Sequence, residues 1–210
     1  MHSSMTLAAP KPARRPAPRF LLLAGAALVL GGLGFGAQTY LGHGPAPITV
    51  TDTSGGATFN FRVTGIPVPG KIQGVTPKLT FSPSDLGAAQ GQITVNLRGL
   101  DTGIALRDEH ARNYLGVAKH PTAIFALSRI EGARTLKPGQ TLNATAQGTL
   151  DLNGVKVPLS APIALSYAPD GSAINVSTAF DVTFKQHHIS IPGADPQTDV
   201  KVAFRLPVRQ

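Results

Sequence analysis

The stretch Thr141–Tyr167, TLNATAQGTLDLNGVKVPLSAPIALSY, decides the fold. Up to its centre the even positions Leu142, Ala144, Ala146, Gly148, Leu150 and Leu152 are apolar or small, and they alternate with Asn143, Thr145, Gln147, Thr149 and Asp151. After Asn153-Gly154 the odd positions take over, in Val155, Val157, Leu159, Ala161, Ile163, Leu165 and Tyr167. A period of two places both sets on one face of a strand pair. Asn-Gly is the dipeptide that best tolerates positive φ at both centres of a two-residue hairpin turn, so the two strands are antiparallel neighbours. Pro158 and Pro162 fall on the opposite parity, where their missing N–H donors call for a bulge or an edge position.

The same alternation extends outward in both directions. Ala57-Phe59-Phe61-Val63, Val75-Pro77-Leu79-Phe81 and Ile93-Val95-Leu97 each present one apolar face. Thr122–Ile130 is ambiguous in parity, because Phe125 and Leu127 compete with Ile124 and Ile130. Ile174-Val176-Thr178-Phe180-Val182 follows a second turn signal at Pro169-Asp170-Gly171, and Val200 to Val208 closes the series. Residues 184–197 read as a longer loop with a short helical turn.

One segment breaks the pattern. Asp101-Thr102-Gly103 is a turn, Ile104–Tyr114 a short helix, and Lys119-His120-Pro121 an entry to the next strand, since Pro121 holds His120 extended. Asp101 or Thr102 is expected to accept hydrogen bonds from the first helical N–H groups. Ile104, Leu106 and Leu115 form the expected apolar stripe, leaving Arg107, Asp108, Glu109 and Arg112 for solvent or ion pairs.

Eight amphipathic strands must hide one face, and closure into a barrel removes both sheet edges. The predicted fold is therefore all-β, an eight-stranded antiparallel up-and-down barrel with one short helix between its third and fourth strands. An eight-stranded barrel is either filled by side chains or wide enough for one small ligand. Ala144, Ala146, Gly148 and Ala161 are small and adjacent across the hairpin, which leaves room inside.

Composition agrees with a β domain. Of 210 residues 42% are hydrophobic and 14% charged, with 23 Gly, 18 Pro and no cysteine, so disulfide and thiolate chemistry are excluded. The formal charge of +8 suggests nucleic acid until it is divided along the chain. Lys11, Arg14, Arg15 and Arg19 precede an uncharged run, Phe20 to Ala37, and no acidic residue does. The remainder, 15 basic against 11 acidic residues, is dispersed, and a nucleic-acid footprint would be clustered.

The uncharged run after a basic segment predicts a signal peptide or N-terminal membrane anchor over 1–37, with membrane association through 20–37 if the segment is kept. A linker over 38–47 and the barrel over 48–210 follow. Positive charge before the run places the barrel in the periplasm or otherwise outside the cytoplasm, secreted or tethered to the inner membrane.

Two motifs resemble one family. The first is Asp101-Thr102-Gly103, Arg107-Asp108-Glu109-His110-x-Arg112 and Tyr114-Leu115-x-Val117-x-Lys119-x-Pro121-Thr122-Ala123-x-Phe125. The second is Gly148–Leu159 with its Gly154-Val155-x-x-Pro158 turn. Together they are similar to the YceI-like family of lipocalin-like barrels, over roughly Ala57 to Arg209. The resemblance implies that Phe125 points inward and that an elongated apolar tunnel holds an isoprenoid or fatty-chain lipid. Two regions depart from the family pattern: Phe184 to Ile189, and the Pro-rich Gly65–Gly74, read here as a short connection.

The lumen lining expected on this basis is Phe59, Phe61, Val95, Leu97 and Phe125 on one side, and Ala144, Ala146, Val157, Leu159, Ile163, Leu165, Val176 and Phe180 on the other. Arg107, Arg112, Lys119 and Lys185 lie near strand ends, where a cation could meet a lipid head group. No cofactor and no metal are expected. His110 and His120 share no local face, His187 and His188 are adjacent in a loop, and neither a nucleophile elbow nor a phosphate loop is present. Only Thr178, Tyr167 and Ser128 offer polar groups inside, so the reading is a binding protein and not an enzyme. The expected function is binding, sequestration or transport of an isoprenoid or other long-chain amphiphile. The alternative is a ligand-free envelope barrel whose 104–114 helix contacts a membrane protein. Whether two barrels form a homodimer stays open.

Overall fold

The structure, a computed structural model, describes residues 47–51 and 55–208. The expected signal or anchor over 1–37 and nearly all of the linker lie outside these residues. Among the described residues no helix is long and apolar enough to cross a membrane.

Among the described residues ten strands form: β1 Ile48–Thr51, β2 Gly55–Val63, β3 Ile66–Ser82, β4 Asp85–Asn96, β5 Leu100–Asp101, β6 Thr122–Glu131, β7 Thr141–Leu152, β8 Val155–Tyr167, β9 Ala173–Thr183 and β10 Gln197–Pro207. Eight of them close the barrel as an antiparallel meander, β2-β3-β4-β6-β7-β8-β9-β10, with β10 returning to β2. Strands β1 and β5 lie outside this ring and pair with β3. The helix α1, Ala105–Tyr114, falls between the third and fourth barrel strands, as the sequence predicts.

The central hairpin has the expected register, Leu152↔Val155 through Thr141↔Ser166, and Asn153 and Gly154 take φ of 54° and 74°. The β8–β9 ladder is much shorter. It runs only from Ile163↔Thr178 to Tyr167↔Ile174, so Val155–Pro162 lies outside it. Pro158 and Pro162 face that unpaired side, which is how the sheet accommodates two residues without a donor.

The Gly65–Gly74 connection expected from its prolines is instead strand. Thr64 (φ 50°) and Gly65 (φ 81°) make a tight turn, and Ile66–Gly70 pairs back onto Val63–Phe59. Beside a two-residue turn the Val63↔Ile66 pair carries the hydrogen bonds. Pro67, opposite Arg62, and Pro69, opposite Asn60, then occupy non-bonded positions and cost the ladder nothing. The ambiguous parity of β6 also resolves. A register shift between Leu127 and Arg129 lets Ala123, Phe125, Leu127 and Ile130 all face inward.

The helix differs from expectation at its start. Its N-cap is Ile104, which has no side-chain cap. Asp101 accepts from Gly103 N at 2.8 Å, while Thr102 donates from its backbone N to Asp108 Oδ1 at 2.7 Å and from its hydroxyl to the same oxygen. The helix is thus held from within its first turn. The expected stripe holds at Leu115, which faces the barrel, and fails at Ile104 and Leu106, which are 53% and 62% exposed; Ala111 faces the barrel in their place.

Candidate functional site: an apolar lumen

The inward faces of the eight strands enclose a cavity of about 220 Å³. Every lining residue is apolar except Thr58, Thr178 and Thr198. Two of these hydroxyls are spent on the wall itself. Thr178 donates to Pro162 O at 2.7 Å and Thr198 to Asn60 O at 3.1 Å. No buried side-chain polar atom among the described residues lacks a partner, so the lumen offers hydrocarbon and little else.

Of the expected lining residues, Phe59, Phe61, Val95, Leu97, Phe125 and Ala146 border the cavity, as do Leu159, Ile163, Leu165, Val176 and Phe180. Ala144 and Val157 do not. Their cross-strand partners Ile163 and Leu150 are larger and reach the cavity in their place. Inward glycines keep the bore open. Gly70 sits beneath the Phe59 ring and Gly148 beneath the Phe125 ring, so each aromatic lies along the wall where a side chain would otherwise stand.

One end of the barrel is closed by the 132–140 loop. Leu136, 2% exposed, reaches the lumen, which Leu86 and Ile174 also line. Backbone bonds Leu136 N→Pro83 O (2.7 Å), Leu86 N→Arg134 O (2.8 Å) and Gly139 N→Tyr167 O (3.0 Å) fix the loop across that end. A single leucine in a polar loop was the only sequence signal for this floor, and the strand pattern does not reveal it.

The other end is covered more lightly. Helix α1 and its C-cap contribute Ala111 and Leu115 to the lumen, but the helix has no buried residue. Phe184, from the 3₁₀ turn Phe184–His187, meets the Phe61 ring edge-on at 6.0 Å, and Ile191 follows it. The 184–196 loop is tied to the β2–β3 turn by Thr64 N→Gly193 O and to the central hairpin by Asn153 Nδ2→His187 O.

The four candidate cations all belong to this lighter end. Arg107 and Arg112 are committed to the approach to α1, Arg107 through Nε to Thr102 Oγ1 (2.9 Å) and through Nη2 to Thr102 O, Arg112 through Nη1 to Leu100 O (3.2 Å). Lys119 and Lys185 are exposed. His110 is exposed, His120 packs on Gly154, and the buried His187 holds Val155 O at 3.1 Å; among the described residues no three metal-ligating side chains cluster.

An eight-stranded meander with a closed floor, a helical cover and a hydrocarbon bore is the architecture of a lipocalin-like barrel. The chain belongs to the YceI-like family, whose domain model matches residues 49–208. A UPF0312 protein of Enterobacter sp. is 34% identical over 109 residues, covering 50% of this chain and 53% of that protein. Protein YceI of Salmonella newport is 32% identical over the same length and shares. The chain spans about half the length of the curated relatives it matches. Among solved structures, BcnA of Burkholderia cenocepacia superposes with a TM-score of 0.63 at 13% identity, covering 74% of this chain and 98% of that one. A polyisoprenoid binding domain from Saccharophagus degradans, implicated in plant cell wall breakdown, gives 0.60 at 15% identity, covering 77% and 98%. At these identities the likeness is one of fold.

Proposed function

We propose that the barrel binds a long-chain, isoprenoid-like lipid in its lumen, and that the protein sequesters or carries this lipid outside the cytoplasm without transforming it. The observation that carries the reading is the cavity itself, a bore lined by hydrocarbon whose threonine hydroxyls at 178 and 198 are already satisfied by the wall. The solved polyisoprenoid binding domain with the same fold supports it. Burial of hydrocarbon is worth roughly 0.8 kcal/mol per CH2, so one five-carbon prenyl unit contributes on the order of 3 to 4 kcal/mol before ordering costs. Several units bind without any special residue. Bore length and width then set the choice of ligand.

The polar groups that an enzyme would need are turned to other uses. Thr178 is bonded to Pro162 O, and Ser128 donates to Gln147 O on the exposed face. The extracytoplasmic placement, and membrane association through 20–37, rest on the basic segment and uncharged run before the barrel.

The test is Ala146→Phe. Ala146 borders the cavity and is small, so the ring has space to enter. Uptake of an apolar fluorescent probe should be lost while the thermal midpoint stays near that of the parent. A variant that folds and still takes up the probe at parental affinity would refute lumen binding.

A further inference from the structure

The lining of the lumen is not packed alike along its length. Phe59, Ile93, Phe125, Phe180 and Val200 border the cavity and are only half-buried. They form a belt through the cross-strand pairs Phe59↔Val200, Val200↔Phe180 and Ile93↔Phe125. An inward side chain keeps accessible surface only where it borders empty space, so the free part of the cavity lies at this belt. At the floor the lining changes. Phe81, Leu86, Leu136, Ile174 and Leu206 also face the lumen, yet they are between 2% and 5% exposed. Ile174 pairs with Leu206, and Phe180 stands six residues beyond Ile174 on β9, roughly 20 Å along the strand.

The bore is therefore a chamber above an apolar plug. Of the plug residues Leu136 alone comes from a connection and not from a strand. Its loop is held by Leu136 N→Pro83 O and Leu86 N→Arg134 O, so the side chain is fixed across the floor. Among the described residues no buried side-chain polar atom lacks a partner, so none at the floor waits for a head group. A polar group carried there would lose its water with nothing to replace it. It stays instead at the helical end, where Leu115 and Ala111 are only half-buried. An eight-stranded ring is wide enough for one small ligand, which suits one chain and not two side by side.

We propose that the lumen takes a single-tailed amphiphile, tail first from the helical end, and that Leu136 is the stop that fixes the longest tail it accepts. This selection rests on lumen binding. It adds the number of tails, their direction and the residue that limits their length.

The test displaces a bound apolar fluorescent probe from the full chain with lysophosphatidylcholines of increasing tail length, kept below their micelle concentrations. Circular dichroism checks that each variant is folded. For the parent, affinity should rise roughly tenfold with each added pair of carbons until the tail reaches the floor, and then stop rising. Leu136→Ala should move that limit to longer tails, and the milder Leu136→Val should move it less. Ala161→Leu, at a small lining residue midway along β8, should move it to shorter tails. Lys137→Ala, on the exposed side of the floor loop, should leave it in place. Diacyl phosphatidylcholine with tails of matching length should not displace the probe where the single-tailed lipid does. A limit at one length in the parent and in folded Leu136→Val, Leu136→Ala and Ala161→Leu would overturn the stop, as would affinity that climbs without limit in the parent. Equal displacement by the diacyl lipid would overturn the single tail. A parent that takes up the probe and yields it to no lysophosphatidylcholine would overturn the selection and leave lumen binding standing, whereas a parent that takes up no probe would refute lumen binding and the stop with it.

Discussion

The Phe125 ring lies over Gly148 of the neighbouring strand, so that a β-carbon on Gly148 would stand 2.7 Å from Phe125 Cζ and closer still to the Ala126 carbonyl oxygen. Phe59 and Gly70 form a similar pair, but there the three atoms nearest a β-carbon are all ring atoms of Phe59. The two glycines therefore predict different outcomes. Gly148→Ala must displace backbone and should destabilise the fold by about 1 to 3 kcal/mol, read by denaturant unfolding. Gly70→Ala should cost less, because the Phe59 ring can swing into the cavity, and should instead lower probe capacity.

The floor gives a second prediction. Leu136 is almost fully buried and borders the lumen, so Leu136→Ala should cost about 2 to 5 kcal/mol by transfer and cavity terms. It should also open the far end, and the off-rate of a bound apolar probe should rise more than in a surface variant of the same loop such as Lys137→Ala.

Ile104 supplies no side-chain cap, and the Asp108 carboxylate instead ties the first turn of α1 back to Thr102, accepting from its N–H and its hydroxyl. Asp108→Ala should cost about 1 to 3 kcal/mol, the usual magnitude for lost hydrogen bonds to a charged group. Because α1 has no buried residue, the loss should be local. Amide hydrogen exchange should accelerate over residues 102–116 and remain unchanged in β7 and β8.

On the outer face Asp181 and Asp199 are cross-strand partners, and the Asp199 carboxylate holds the Asp181 carboxyl above its ordinary range. A raised carboxyl pKa in the folded state means that native protein takes up a proton before the unfolded chain does. The penalty is complete above the folded pKa and is relieved as pH falls toward the unfolded value near 3.8. Asp181→Asn should accordingly raise the thermal midpoint at neutral pH, and the difference should shrink to nothing in acid.

Alternation carried most of the fold, because an antiparallel barrel with one wet face writes its inside and outside directly into residue parity. Asn153-Gly154 fixed the register of the central hairpin for the same local reason. What the sequence concealed was decided by pairing. Pro67 and Pro69 looked like a connection until the register with Arg62 and Asn60 put them where no donor is needed. The bulge near Ser128 reverses parity with no compositional mark, and so hid that Leu127 and Ile130 share a face. At the site, the strand-borne lining and Leu115 were legible, and the floor at Leu136 and the cover at Ala111 were not, since both come from connections that leave the period-two pattern. Arg107 and Arg112 read as free cations because their backbone acceptors, Thr102 O and Leu100 O, are visible only in three dimensions.

The most direct test of the central claim is mass spectrometry of an organic extract from the purified full chain, run beside Ala146→Phe prepared identically. Lumen binding predicts a long-chain lipid, isoprenoid-like in fragmentation, that accompanies the parent protein and is depleted in the variant. The same lipids in the same amounts from both, with the parent also failing to take up an apolar probe, would contradict it.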